Sequence, residues 1–330
     1  MTNERFATAY HAPVMVDEVL GALLPPAGAS DGRTLRFLDC TLGGGGHSAA
    51  LLEAGADVTG VDRDPAAIAA ASARLGAFSK AGRFRAICAN YADFAESGDA
   101  GPHGGESFDG ILLDLGVSSH QFDDAARGFS FREGAPLDMR MNASGATAAD
   151  WLNESAEDAL AQALRDYGDE RRAHRMAAEI VRRRATRPFA ISDDLVGVIR
   201  AVLGPRSGPP DFARVFQAVR IAVNDELDGL ARALPALCDR LGPSGVIGVI
   251  TYHSGEDRLV KHTFREWSRR CTCPPRHPMC TCGGDNALGD VVTRRAVVAA
   301  ADEIVRNARA RSAKLRAFRR RASRSTPTGR

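Results

Sequence analysis

The sequence predicts an α/β protein: a parallel sheet wound with helices and interrupted by an all-helical insertion. Three observations carry this. Short apolar runs alternate with helix-like segments through the first 116 residues. The alternation then stops for roughly a hundred residues. It returns with a long helical stretch followed by a fifth apolar run. Strand–helix–strand alternation implies right-handed crossovers and a parallel sheet.

The elements follow in order. "LRFLDC" reads as a first strand ending at Cys40, and "HSAALLEAG" as a helix closed by Gly55. "ADVTGVD" is a second strand ending at Asp62. "DPAAIAAASARLG" carries its own stop signals: Asp64 as N-cap, Pro65 at the first helical position and Gly76 past the end. "FRAICAN", ending at Asn90, and "FDGILLDLG", Phe108 to Gly116, are the third and fourth strands, separated by a surface loop at 99–107. Such short, apolar strands fit a sheet covered on both faces. "AADWLNESAEDALAQALRDYG" and "DERRAHRMAAEIVRRRATR" read as successive helices, and "LGPRSGPPDF" breaks the chain. The helical "FQAVRIAVNDELDGLARALPALCDRLG" then leads into the strand "GVIGVITYHS". The expected division is a discontinuous α/β domain, 1–117 and 214–330, with a helical insertion at 118–213.

Composition is that of an ordinary globular protein: 330 residues, 44% hydrophobic and 25% charged. No apolar run approaches the ~20 residues of a membrane span, and the N-terminus lacks a secretory layout. A cytoplasmic protein without a membrane partner is expected. The net charge of +2 conceals an asymmetry, because from Arg306 onward there are ten Arg and Lys and no acid. The remainder then holds 33 basic and 41 acidic residues. This basic C-terminal tail from about 306 reads either as a solvated terminus or as a contact with nucleic-acid phosphates. Of the seven cysteines, Cys40, Cys88 and Cys238 lie in apolar stretches and are expected in the core.

"DCTLGGGGHS" places four glycines between the first strand and the first helix. That context brings backbone and helix N–H groups to a ligand. A mononucleotide phosphate loop would need Gly-Lys-Ser/Thr, and His47-Ser48 stands there instead. Two cofactors stay open. The frame Gly44, Gly46, Ala49 fits a dinucleotide fingerprint weakly. S-adenosylmethionine needs a tight turn for its amino-acid part and an acid at the second strand end for the ribose. Asp62 serves either cofactor. Asp114, at the end of the fourth strand, suits a transferable methyl group. Asp39, Gly43–Gly46, Asp62, Asn90-Tyr91 and Asp114 should gather at the carboxyl edge of the sheet. Tyr91 could stack on an adenine or simply pack.

"HAPVMVDEVL", "DCTLGGGGHS", "GVDRDPAAI", "FDGILLDLGVSSHQFDDAARGFSFREGAPLDMRMN", "VFQAVRIAVNDEL", "YHSGEDRLVKHTF" and "NARARSAKLR" occur in this order. Together they closely resemble the bacterial small-subunit ribosomal RNA (cytosine-N4)-methyltransferase family, over nearly the whole chain. The 35-residue block from Phe108 to Asn142 is the most specific part. The resemblance implies a Rossmann-like, S-adenosylmethionine-dependent methyltransferase domain interrupted by a helical domain. It implies a cytosine of the ribosomal decoding region as acceptor. Matching positions place cofactor contacts on Gly45, Gly46, His47, Asp62, Tyr91, Asp114 and Gln121. The chain departs from the family pattern at Gly255, where an apolar residue is usual, and at "DFARV" (Asp211–Val215), which keeps Arg214.

Methylation of an exocyclic amine is a direct in-line displacement at a sulfonium and needs no catalytic cysteine. Its main terms are positioning and a hydrogen bond to the amine. The Asp/Asn-Pro-Pro-Tyr/Phe motif of many amino-methyltransferases is replaced here by Asp114-Leu115-Gly116-Val117. Asp114 either accepts a hydrogen bond from the amine or only orients the cofactor. His253, after the fifth strand, is a second catalytic candidate. Phe129 and Phe131 either stack on a flipped cytosine or anchor their loop.

For RNA, Arg171, Arg172, Arg175, Arg182 and Arg183 lie mostly off the apolar stripe of their helix, and Arg140 follows in "DMRMN". A solvated helix face explains the same pattern. The expected partner is small-subunit ribosomal RNA, within a small ribosomal subunit, and the oligomeric state stays open. "CTCPPRHPMCTC" gives Cys271, Cys273, Cys280 and Cys282, which could supply four thiolates to a structural zinc not required for the chemistry. The alternative, a surface loop of reduced thiols, is the simpler reading. Two other readings compete: a dehydrogenase, for which no hydride site is visible, and a non-catalytic RNA-binding assembly factor.

Overall fold

The computed structural model describes residues 6, 13–26, 32–97, 107–117, 122, 124–142, 144–274 and 279–322. The chain forms two compact units: Met1–Gly116 with Leu230–Arg330, and Val117–Gly229.

The first unit is built on one sheet. Its strands are β1 (Arg36–Asp39), β2 (Asp57–Asp62), β3 (Phe84–Cys88), β4 (Phe108–Asp114), β5 (Leu241–Thr251), β6 (Gly289–Val291), β7 (Val297–Val298) and β8 (Lys314–Arg320). The order is β3-β2-β1-β4-β5-β8-β6, with β7 also on β8. β1 to β5 are parallel, while β8 runs antiparallel to β5, β6 and β7. The five expected strands are present. Successive strand residues bury to opposite faces, as in a sheet covered on both sides. Phe37, Leu112, Val246, Ile250 and Leu315 enter one apolar cluster. Leu38, Ile111, Leu113, Ile247 and Phe318 enter the other. Asp64 caps the helix Pro65–Arg74, accepting from the Ala66 N–H at 3.0 Å. Gly76 does not end that segment but opens a further short helix, Gly76–Lys80.

Two expectations change here. The basic stretch from Arg306 is not a free tail, because Lys314–Arg320 forms β8, paired with β5 on one side and β6 on the other. Leu315, Ala317 and Phe318 are buried, and that burial outweighs the basic composition. Arg316 Nε lies 2.7 Å from Asp257 Oδ1, and Arg320 Nη1 donates to the carbonyls of Cys238, Asp239 and Leu241. Cys40 and Cys238 are buried, but Cys88, at the end of edge strand β3, is exposed.

The second unit is helical: Ala148–Glu154, Glu157–Asp166, Ala173–Arg184, Ser192–Leu203 and Pro209–Asn224. The stretch expected as one helix from Ala148 is two, because Ser155 and Ala156 adopt extended backbone. A capping box of Thr147 and Asp150 starts the first. The unit has its own core, with Leu152, Leu160, Met176, Ile180, Leu195 and Ile199 all fully buried. Phe212, Val215, Phe216 and Val219 belong to the same core. The expected boundary at 213 therefore falls inside the helix Pro209–Asn224, and the unit ends at Gly229 instead. No helix among the described residues is long and apolar enough to cross a membrane.

Candidate active site

The strand order reverses direction between β1 and β4, and in open parallel sheets a crevice forms at that switch point. The loop from Cys40 to Gly45 fills its rim. Leu42 N–H donates to the Val61 carbonyl at 2.9 Å and Gly43 N–H to Asp62 Oδ2 at 2.8 Å. On the other side, Asp114 N–H donates to Thr41 Oγ1 at 2.6 Å. The turn is thus tied to both neighbouring strands.

Glycine is required in it. Gly43 and Gly45 have φ of 50° and 74°, in the left-handed region. A Cβ on Gly46 would lie 2.8 Å from the Pro13 ring. Gly45 is the N-cap of the helix Gly46–Glu53 and offers no side-chain acceptor. Among the described residues no side chain caps the first N–H groups of that helix.

Three carboxylates end the strands. Asp39 is buried, with Ser48 Oγ donating to it at 2.7 Å and Thr41 N–H at 3.2 Å. Burial holds its carboxyl above the ordinary range, against the pull of His47, Ser48 and Thr41. Asp62 accepts Gly43 N–H on one oxygen and Asp64 N–H, at 2.9 Å, on the other. Burial still raises its pKa, and each oxygen keeps a lone pair for a further donor. Asp114 is the most perturbed, its pKa raised to about 6 by burial, with the His47 charge and the Tyr252 hydrogen bond opposing. Tyr252 hydroxyl donates to Asp114 Oδ1 at 2.8 Å. Burial and then Asp114 push that phenol well above its usual range, so it stays a donor.

His47 bridges this network to the N-terminal segment. Its Nε2 lies 2.9 Å from the Val14 carbonyl, which can only accept, so Nε2 carries a proton. Its Nδ1 faces Asp114 Oδ2 at 3.7 Å.

Asp39, Gly45, Gly46, His47, Asp62 and Asp114 therefore belong to one connected edge. Tyr91 opens the helix Tyr91–Glu96, half-buried against the apolar cluster beneath, beside Asn90, which caps that helix. Gln121 lies outside the described residues. His253 is the N-cap of the helix Ser254–Trp267: its Nδ1 accepts from Glu256 N–H at 3.4 Å. Its Nε2 lies 3.2 Å from Glu256 Oε1, and Glu256 accepts Tyr252 N–H at 2.8 Å. This geometry gives His253 a capping role. Phe129 is buried, and Phe131 packs edge-on against Phe212 and Phe216 at 5.7 and 6.0 Å; both rings anchor the helical unit.

The arginines divide. Arg140 chelates Asp138 at 2.9 and 2.8 Å. Arg182 and Arg183 share Glu179, and Arg172 donates to the Val202 carbonyl at 2.8 Å. Arg171 and Arg175 are exposed. Arg214, kept where the local pattern departs from the family, pairs with buried Glu170 at 2.8 Å. Cys271, Cys273, Cys280 and Cys282 come together. Thr41, Ser48 and Tyr252 were not foreseen. "TYHS" directly after a strand end was the available signal for Tyr252, but its partner is 138 residues away.

Residues 8–321 match the MraW methylase family. The chain is 61% identical over 311 residues to a ribosomal RNA small subunit methyltransferase H of Gemmatimonas aurantiaca, covering 94% of this chain and 95% of that one. It is 46% identical over 320 residues to the protein of the same name from Heliobacterium modesticaldum (93% and 97% covered). A third, from Anaeromyxobacter dehalogenans, is 45% identical over 310 residues (93% and 96% covered). With its glycine turn and strand-end carboxylates at the switch point of a parallel sheet, the chain belongs to the MraW methylase family.

Proposed function

We infer that this chain transfers a methyl group from S-adenosylmethionine to the exocyclic N4 amine of a cytosine in the decoding region of small-subunit ribosomal RNA. One observation carries the reading: three strand-end carboxylates, one buried and two half-buried, converge around a glycine turn in a chain whose relatives are small-subunit rRNA methyltransferases.

The residues present fit that donor. Asp62 has lone pairs left for two ribose hydroxyls beyond the Gly43 and Asp64 N–H groups it already accepts. The turn Gly43–Gly46, with His47 beside it, would seat the amino-acid end through its backbone. When bound, the donor would supply an electrophilic methyl on a sulfonium; attack by the amine in line would break the S–CH3 bond and release neutral S-adenosylhomocysteine.

The chain's own part is placement. Asp114 is fixed from three sides: by Thr41 at its backbone, Tyr252 at one oxygen and His47 near the other. A carboxylate held this way orients the donor, and its charge favours the amine whose lone pair must localise before attack. The released proton passes to solvent, because a methylated, positively charged amine on a pyrimidine is strongly acidic. We place the RNA grip on the helical unit, through Arg171 and Arg175, with the small ribosomal subunit as partner and the cytoplasm as its compartment.

Small subunits lacking this methylation, incubated with the protein and labelled S-adenosylmethionine, test the reading. Label should map to one cytosine, at N4. Label on another base, or none on any subunit or free RNA, overturns it.

A further inference from the structure

The four cysteines between the helix Ser254–Trp267 and β6 take no part in the crevice. Cys271 and Cys280 sulfurs lie 3.7 Å apart, Cys280 and Cys282 3.5 Å, and Cys271 and Cys282 3.6 Å. All four sulfurs lie within 4.8 Å of one another. Thiolates at about 2.3 Å from one zinc form a tetrahedron with edges of about 3.8 Å. The three separations among Cys271, Cys280 and Cys282 match those edges, and Cys273 Sγ lies within 4.8 Å of the other sulfurs. They are far from the ~2 Å of a disulfide, and all four cysteines are free.

Two further observations point to a ligand. Thr272 N–H donates to Cys282 Sγ and Thr281 N–H to Cys273 Sγ, both at 3.3 Å. Such bonds stabilise thiolate charge and fix sulfur orientation around a metal. Gly283 and Gly284, with φ of 79° and 70°, turn the chain immediately after the last cysteine. The segment also needs a cross-link, since none of its described residues from 268 to 288 is buried. Among its described residues, the backbone ties that close it are Leu288 N–H to the Trp267 carbonyl at 2.8 Å and Asn286 N–H to the Arg270 carbonyl at 2.9 Å.

We propose that Cys271, Cys273, Cys280 and Cys282 bind one zinc ion as a closed tetrathiolate. The four thiols release their protons to solvent on binding, and four protein ligands leave no open position for catalysis. The ion staples the segment that carries Asp285. Asp285 pairs at 3.3 Å with Arg321, which also binds Asp290 at 2.9 Å, just beyond β8. The staple thereby secures the end of β8.

The test uses the full chain, purified without chelator. Elemental analysis should find about one zinc per chain, and a mercurial should release it in step with blocking of the four thiols. Cobalt(II) in its place should give thiolate charge-transfer and tetrahedral d–d bands. The double substitution C271S/C282S should lose the zinc, with faster proteolysis inside 268–288. If that variant does not fold, the mercurial titration of the unmodified chain decides alone. Zinc near zero with the thiols free, iron in place of zinc, or two disulfides would each overturn the assignment.

Discussion

Asp114 carries the sharpest consequences at the scale of a residue. A carboxyl whose folded pKa is about 6, against ~3.9 when unfolded, binds its proton more tightly in the fold. Its contribution to stability is therefore present at low pH and lost as pH rises from about 4 to about 6. Asp114→Asn should flatten that part of the stability–pH curve, gaining on the order of 2 kcal/mol at pH 7 relative to the parent. Urea unfolding across the window reads this. On the role proposed for Asp114, activity runs the other way, because the positioned carboxylate would be the working form. The kcat/KM of the parent should fall below pH ~6, and Asp114→Asn should be slower by at least ~10-fold with that inflection gone. His253 is the contrast. If its work is capping, His253→Ala costs about 1 kcal/mol of stability with little change in kcat, and His253→Asn restores most of it. A large fall in kcat at unchanged melting temperature would return His253 to the catalytic set.

At the scale of elements, β8 separates two truncations that look alike in sequence. Ending the chain after Ala322 removes Arg324 and Arg330 and leaves the sheet whole. RNA affinity should then lose at most about two units of salt slope. Ending it after Arg316 removes Phe318, which is fully buried and packs with Phe264 and Trp267 at 5.6 and 5.2 Å. That chain should expose apolar surface and fail to fold, which circular dichroism and solubility report. The same strand shows where sequence reading runs out. β1 to β5 were legible because each is an apolar run next to a helix signal. β8 reads as basic tail because Lys314, Arg316, Arg319 and Arg320 surround the three small or apolar residues that bury. The glycine turn and its acids were legible from strand-end position alone. Tyr252 was not, because its hydrogen bond to Asp114 exists only once β4 and β5 are side by side. The sequence likewise shows arginines on the Ala173–Arg184 helix but not that Glu179 holds two of them at 2.7 Å.

For the molecule as a whole, the proposed RNA grip on the helical unit should be separable from cofactor binding. Arg171→Glu with Arg175→Glu should weaken RNA binding and lower its salt slope by about two. Affinity for S-adenosylhomocysteine, read by calorimetry, should not change. Equal loss of both would mean the helical unit is needed for the first unit to fold. The connectivity also sets an order of events in the cell. The helical unit is a single continuous stretch and can fold as soon as it is synthesised, whereas the sheet waits for residues made after its other strands. Those residues become β8, an interior strand flanked by β5 and β6. While they remain inside the translating ribosome, β5 is left with an open edge able to pair with a neighbouring chain. Premature termination near residue 313 would make that edge permanent, so truncated products are natural clients of chaperones and proteases.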